Sequence, residues 1–370
     1  MQALKVVEPL LRYLPNVTAI AASKALLTLV LLLNIRAFPL VWHVRVFRPL
    51  IYLYAERFLV ALRTIFKTRK QKKLAVDRWL ERRTPVGVNP VEWVGKFNSW
   101  ASIDESDYNL HLSNSSYPKV LDGARFKGAI ELFPQFFRAG GTMALAGTHF
   151  HFLKEIPILA KYEVRVSLGA WDEKWMYIVC RFVTKPRKTS QKAKRPIANG
   201  NGKANGSESL LHAPVIDTTS GSSSATPLPS SSPSTTDPED TIKTLTRRLV
   251  HEEPDGAVLH TVTVSQMCCK IGRITVPPAI VFAANGLSLP SPGQPYSHSN
   301  PPPHWAKVQA MVDSGVKELG KFYRGGWKEI PAEERWWDSA LGGVVEDTRK
   351  ERLEVLGMLR RAMDGAKDMQ

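Results

Sequence analysis

From Asp107 to Tyr117 the chain reads Asp-Tyr-Asn-Leu-His-Leu-Ser-Asn-Ser-Ser-Tyr, setting a carboxylate and an imidazole four residues apart among carboxamides and hydroxyls. A carboxylate in a partly buried turn suits two jobs: general base on a water molecule, or direct nucleophile at a carbonyl carbon. A buried helix starting near Asn114 to Tyr117 would turn its first N–H groups toward the oxyanion that either attack creates. The same residue types also build ordinary helix-capping turns at Asp104, Asp107 and Asn114, and a lone His111 also serves as a satisfied structural histidine. The residue types by themselves leave both readings open. Other reactive side chains offer less. Cys180, Cys268 and Cys269 are the three cysteines; neighbouring cysteines rarely bridge, no zinc-ligand spacing is present, and Cys268 and Cys269 lie in an alternating apolar run that predicts burial. His149 and His151 sit on a predicted strand, where one is expected to face inward, and no metal site is expected. The Asn16, Asn114 and Asn205 sequons would stay unmodified in a cytosolic domain.

The elements that must hold this stretch are legible around it. A turn is predicted from Asp104 to Asn114, then a helix from Ser115 or Ser116 through Phe137, ended by Gly140 and Gly141. Its Val120, Leu121, Ala124, Ala129, Ile130, Leu132, Phe133 and Phe136 are apolar over most of the circumference, as a helix wrapped by a sheet requires. Strands are predicted at Thr142 to Leu153, Ala160 to Ala170, Lys174 to Val183 and Val258 to Lys270, with Val262, Val264, Met267 and Ile271 as the buried positions of the last. A further segment is expected from Ile274 to Ile280 with its Pro277-Pro278 stop, and Trp93 to Ile103 reads as a strand or as a short helix followed by a strand. One central helix followed by antiparallel strands is an α+β pattern.

With the helix behind it, the stretch resembles the Asp-x-x-x-His-x-Asn-Asn-x-x-Tyr signature of hotdog-fold thioesterases, and is similar to the THEM6-like (4-hydroxybenzoyl-CoA thioesterase-like) branch. The likeness covers roughly Trp93 to Ile280 apart from an insertion, and departs at Ser113, where the common pattern has Asn; Ser still donates and accepts. The resemblance implies an antiparallel sheet around one long helix, and hydrolysis of an acyl thioester, usually acyl-CoA, in a homodimer with sites at the helix N-terminus. It implies Asp107, His111 and Asn114 as catalytic residues, Asn109, Ser113 and Tyr117 as substrate-binding residues, and no cofactor. A hotdog scaffold without hydrolytic activity, serving as a lipid-binding or interaction protein, is the second reading that Ser113 keeps open.

The flanks speak to location. Lys and Arg number 50 against 34 Asp and Glu, a net charge of +16 that favours anionic lipid or an acidic ligand; no nucleic-acid motif accompanies it. Val17 to Ile35 is mostly aliphatic, carries only Lys24 as a charge, and predicts a membrane anchor; Ala37 to Leu62 continues as an interfacial segment that Pro39 and Pro49 would break or kink. The basic run Arg63 to Arg83 beside it places the main domain in the cytosol by the positive-inside rule, with the endoplasmic reticulum expected and the mitochondrial outer membrane as the alternative. The domain boundaries expected are an anchor at 1–62, a basic linker at 63–89, the hotdog domain at 90–185 and 258–288, a disordered insertion rich in Ser, Thr, Pro, Asn and Gly at 186–257, and a Pro-rich loop with C-terminal helices at 289–370. Of these helices one is predicted over His304 to Tyr323 and another over Asp347 to Met363.

Overall fold

The computed structural model describes residues 19–185, 253–366 and 369. Most of the expected insertion, 186–252, and residues 1–18 of the expected anchor at 1–62 lie outside the described residues. Helix α1 (Ala19–Leu33) has 15 residues. At the helical rise it reaches about 22 Å, short of the roughly 30 Å hydrocarbon core of a bilayer. Among the described residues no helix is long and apolar enough to cross a membrane. A one-turn helix at Ile35–Ala37 leads into α2 (Val41–Arg63), which runs through Pro49 without ending, and then α3 (Arg69–Glu81), whose Thr68 and Gln71 cap its start reciprocally.

These N-terminal helices pack onto the domain that follows. Phe47 of α2 meets Phe126 edge-on at 5.4 Å, and Val46 is buried. Arg36 and Arg45 both bind Glu105, at 2.6 and 2.5 Å, although Glu105 is only 3% exposed. Arg36 also donates to the Trp100 carbonyl and stacks 4.4 Å over its ring. Charges out of water persist where each is paired and hydrogen-bonded. Glu105 satisfies that condition only with the N-terminal helices in place.

The strands β1 (Val94–Trp100), β2 (Gly141–Phe152), β3 (Lys161–Trp171), β4 (Met176–Thr184) and β5 (Val258–Ile271) form one antiparallel sheet in the order β1-β3-β4-β5-β2, with β6 (Ile274–Val276) beside β5. The β3–β4 turn closes on Asp172, whose Oδ1 accepts the N–H groups of Lys174 and Trp175. At the other end of β4, Thr184 is the register partner of Val258, so the chain leaves and re-enters the sheet at one place. Alternate residues of β3 (Tyr162, Val164, Val166, Leu168) and β4 (Met176, Ile178, Cys180, Phe182) share a core with Tyr117, Val120, Leu121 and Ala124 of helix α4 (Ser116–Leu132). Strand order and central helix together are the α+β hotdog arrangement.

Three local differences from the sequence reading have physical causes. The central helix stops at Leu132, because Phe133 (φ −126°, ψ 43°) precedes Pro134, which disfavours helical backbone before it; α5 (Pro134–Arg138) restarts the helix with Pro at its first position. After α6 (Pro278–Ala283), the single helix predicted over His304 to Tyr323 is two, α7 (Trp305–Asp313) and α8 (Val316–Tyr323), broken where Gly315 takes φ +113°. Residues 253–257, expected to belong to the insertion, form a turn in which the Glu253 N–H donates to the Ala257 carbonyl and the buried Glu253 carboxylate faces Arg165 and Arg181 at 3.6 and 3.5 Å. Beyond α9 (Trp336–Ala340), helix α10 (Val344–Gly365) lies against β3, so closely that a Cβ on Gly169 would meet Leu356 Cδ1 at 2.6 Å.

Candidate active site

The stretch Asp107 to Tyr117 folds as a tight loop tied to its own helix. Asp107 N–H donates to the His111 carbonyl at 2.8 Å, while Asp107 Oδ1 accepts the N–H groups of Asn109 and His111 at 3.0 and 3.2 Å. This turn carries Leu110 at φ +63°. It pairs with the β2–β3 connection: Leu112 donates to the Ile156 carbonyl and Ile158 to the Leu110 carbonyl, both at 2.8 Å. Ser113 N–H and Ser116 Oγ then converge on the Glu105 carbonyl at 2.9 Å each, fixing the start of α4. No side chain caps that start; the Ser116 N–H donates to the Ser113 carbonyl at 2.8 Å and Pro118 has none, which leaves the Tyr117 N–H of the first turn for a ligand or water.

The loop brings some of the expected residues together. Asp107 and His111 share the turn and are both half-buried. His111 Nδ1 lies 3.1 Å from Glu155 Oε2, outside hydrogen-bond geometry, with the glutamate 70% exposed. Tyr117 is buried among Phe152 and Phe182, with ring centroids at 5.1 and 4.8 Å. Burial pushes its hydroxyl above the usual tyrosine value; Thr261 partly offsets this, and the carboxylates of Glu155 and Asp107 add to it. Ser113 Oγ is spent on Ser115 Oγ at 3.0 Å. Asn109 and Asn114 are exposed, and the structure gives their side chains no partner among the described residues.

Other residues belong to the site without any signal in the sequence. Glu155 sits in an unremarkable Lys-Glu-Ile-Pro connection. His260, 3% exposed, holds that connection: its Nδ1 donates to the Glu155 carbonyl at 2.9 Å and its Nε2 accepts from Thr184 Oγ1 at 2.8 Å. Burial keeps this imidazole below its usual pKa, which favours the neutral form. Thr261, Thr263 and Ser265 turn inward on β5, all fully buried, where Val262 and Val264 were the expected core positions and are half-buried instead. Thr261 and Thr263 Oγ1 lie outside strict hydrogen-bond geometry with any described group, whereas Ser265 accepts from Arg125 at 2.8 Å. His149 and His151, two apart and so on one face of β2, are both exposed, and neither faces inward as expected. Among the described residues no cluster could hold a metal ion. All three cysteines are free and buried, and burial pushes the Cys180 thiol up to about 12.

Residues 101–204 match the family model described as the thioesterase-like superfamily. The chain is 34% identical over 91 residues to "Probable thioesterase YBR096W" of Saccharomyces cerevisiae, covering 24% of this chain and 40% of that protein. It is 29% identical over 176 residues to "Probable thioesterase atnL" of Emericella nidulans, covering 42% and 52%, and 32% identical over 79 residues to "Protein THEM6" of Xenopus laevis, covering 21% and 38%. The chain thus spans about half or less of the length of the curated relatives it matches. Over residues 101–204 it is similar to the thioesterase-like superfamily, and its antiparallel sheet about one central helix is the arrangement of the hotdog fold.

Proposed function

We propose that this protein hydrolyses an acyl thioester, with acyl-CoA as the substrate class, at the surface of a membrane. The observation that carries the reading is the Asp107 turn at the uncapped start of α4. One carboxylate oxygen is held by two N–H groups, and the other accepts from no described residue. On this reading Asp107 Oδ2 takes a proton from water as the water oxygen bonds to the thioester carbon. The oxyanion is met by the first-turn N–H of Tyr117, and collapse breaks the C–S bond as the thiolate leaves and takes up a proton. His111 and Tyr117 position the carbonyl; Asn114, exposed beside the helix start, would contact the carrier or the attacking water, and Asn109 and Ser113 support the loop.

Membrane attachment is supported by the exposed apolar side chains of α1 and α2 and of the turn after α2: Leu27 is 59% exposed, Phe58 66% and Phe66, in that turn, 99%. Such faces suit helices lying in the interface, with the basic residues of α3 toward anionic headgroups. The basic flank supports a cytosol-facing domain, with the endoplasmic reticulum as the membrane. β2 is an edge strand with Leu145 and Phe152 exposed, which supports a homodimer formed by strand pairing. A non-catalytic scaffold is favoured by one observation, the lack of side-chain contacts at Asn109 and Asn114.

Thiol release from acyl-CoAs of graded chain length, by the full chain in vesicles, tests the choice. Asp107→Asn should lower turnover by about 100-fold or more with the fold intact. No turnover at any chain length by folded protein would favour the scaffold.

A further inference from the structure

A cavity of about 900 Å³ lies between α2, α3, the second half of α4, and the start of β2. It is a different place from the Asp107 turn, because its α4 lining runs from Asp122 to Glu131, beyond the first turn, and continues to Arg138 of α5. Its walls are largely apolar, with Leu50 and Leu53 on α2, Phe126 and Ile130 on α4, and Met143 and Leu145 on β2. Two of these walls come from the N-terminal helices, outside the matched region 101–204.

The charges around the cavity are unequal in what they have left to give. Asp122 pairs with Arg125 and Glu131 with Lys127, each at 2.5 Å on the same helix, and Arg83 pairs with Glu56. Arg57 of α2 and Arg138 of α5 also line the cavity, and neither has an ion-pair or hydrogen-bond partner among the described residues. Two unspent guanidinium groups beside an apolar chamber complement a ligand with a long aliphatic body and an anionic head. A guanidinium fork matches a carboxylate, and the volume lies in the range that encloses one small-molecule ligand. We propose that this cavity is a binding site for a single-chain long fatty acid, its hydrocarbon against α2, α4 and β2 and its carboxylate on Arg57 and Arg138. The site stands apart from the thioesterase reading and needs neither Asp107 nor His111.

The test uses the full chain in phosphatidylcholine vesicles, photolabelled with a diazirine analogue of palmitic acid and mapped by peptide mass spectrometry. Label is expected on the lining segments of α2, α4 and β2, displaced by unlabelled palmitate. In Arg57→Gln/Arg138→Gln the concentration needed for half-labelling should rise about tenfold. Ala129→Trp, which fills the cavity, should abolish cavity label, with thermal melting as the check on folding. Asp107→Asn should label like the unaltered chain, which separates this site from the catalytic one. Label confined to the exposed face of α1, an unchanged concentration dependence in the double variant, or displacement by a lysophosphatide but not by palmitate would each overturn the proposal. So would crosslinks joining two copies through these segments, which would make the cavity a subunit contact.

Discussion

The pairing of Glu105 with Arg36 and Arg45 predicts a strong coupling between the N-terminal helices and the loop that carries Asp107. Glu105 is 3% exposed, while its partners are 15% and 25% exposed. Removing both arginines strands a carboxylate in the interior with the Ser102 hydroxyl, at 3.3 Å, as its remaining hydrogen-bond partner among the described residues. Breaking a buried pair from one side costs about 3 to 5 kcal/mol. At roughly 2 cal/mol/K of unfolding entropy per residue, a unit of about 300 residues loses about 5 °C of melting temperature for 3 kcal/mol. Arg36→Ala/Arg45→Ala should therefore melt about 5 °C or more below the unaltered chain, as followed by circular dichroism in vesicles. Arg45→Ala should cost far less in a Glu105→Gln background than alone, since the charge it answers is gone. Equal costs in the two backgrounds, within about 0.5 kcal/mol, would show that the ion pair does not join the helices to the loop.

Acid should weaken the fold through its buried histidines. Burial lowers His304 to about 4, and lowers His260 as well. The unfolded chain, titrating near 6.5, then binds protons first as pH falls. For His304 the stabilisation from the neutral side chain is present above about 6.5 and is lost between there and 4, with a slope approaching 1.4 kcal/mol per pH unit, and His260 acts in the same direction; His304→Phe should flatten the melting temperature between pH 7 and 5, and an unchanged slope would remove His304 from the account. Gly169→Val should push α10 off β3 and cost about 1 to 3 kcal/mol by denaturant titration, whereas a neutral result would mean that Leu356 moves freely. Arg125→Met should destabilise by about 2 to 4 kcal/mol, because Arg125 ties α4 to Thr148 of β2 and Ser265 of β5 by hydrogen bonds, and a loss under about 0.5 kcal/mol would refute that role.

What the sequence disclosed follows from the range of each interaction. The signature, the central helix and the strands rest on local periodicity and local turn chemistry, and they sit within a few residues of their predicted places. The break at Phe133 was visible in Pro134 and was outweighed by the apolar run continuing through Phe136. The inward face of β5 was not legible, because Val262 and Val264 outrank Thr261 and Thr263 on any hydrophobic scale. Only the long-range fact that this face meets Tyr117 and Arg125 makes hydroxyls fit there. Glu155 and His260 enter the site through a contact spanning 105 residues, for which neighbouring sequence holds no information. Similarly, nothing local marks Glu105 as the partner of arginines 60 and 69 positions earlier.

The meeting of Thr184 and Val258 has a consequence for how this chain tolerates change. Beyond the turn at 253–257, whose Glu253 and Asp255 meet Arg165, the sheet fixes only where the chain leaves β4 and where it returns to β5. The entropy of closing such a connection grows with the logarithm of its length, so that doubling it costs only about 0.6 kcal/mol. The distance along the chain between β4 and β5 is thus nearly invisible to the fold. Residues can be gained or lost there over evolutionary time while the register of both strands, and the loop that His260 pins from β5, stay where they are.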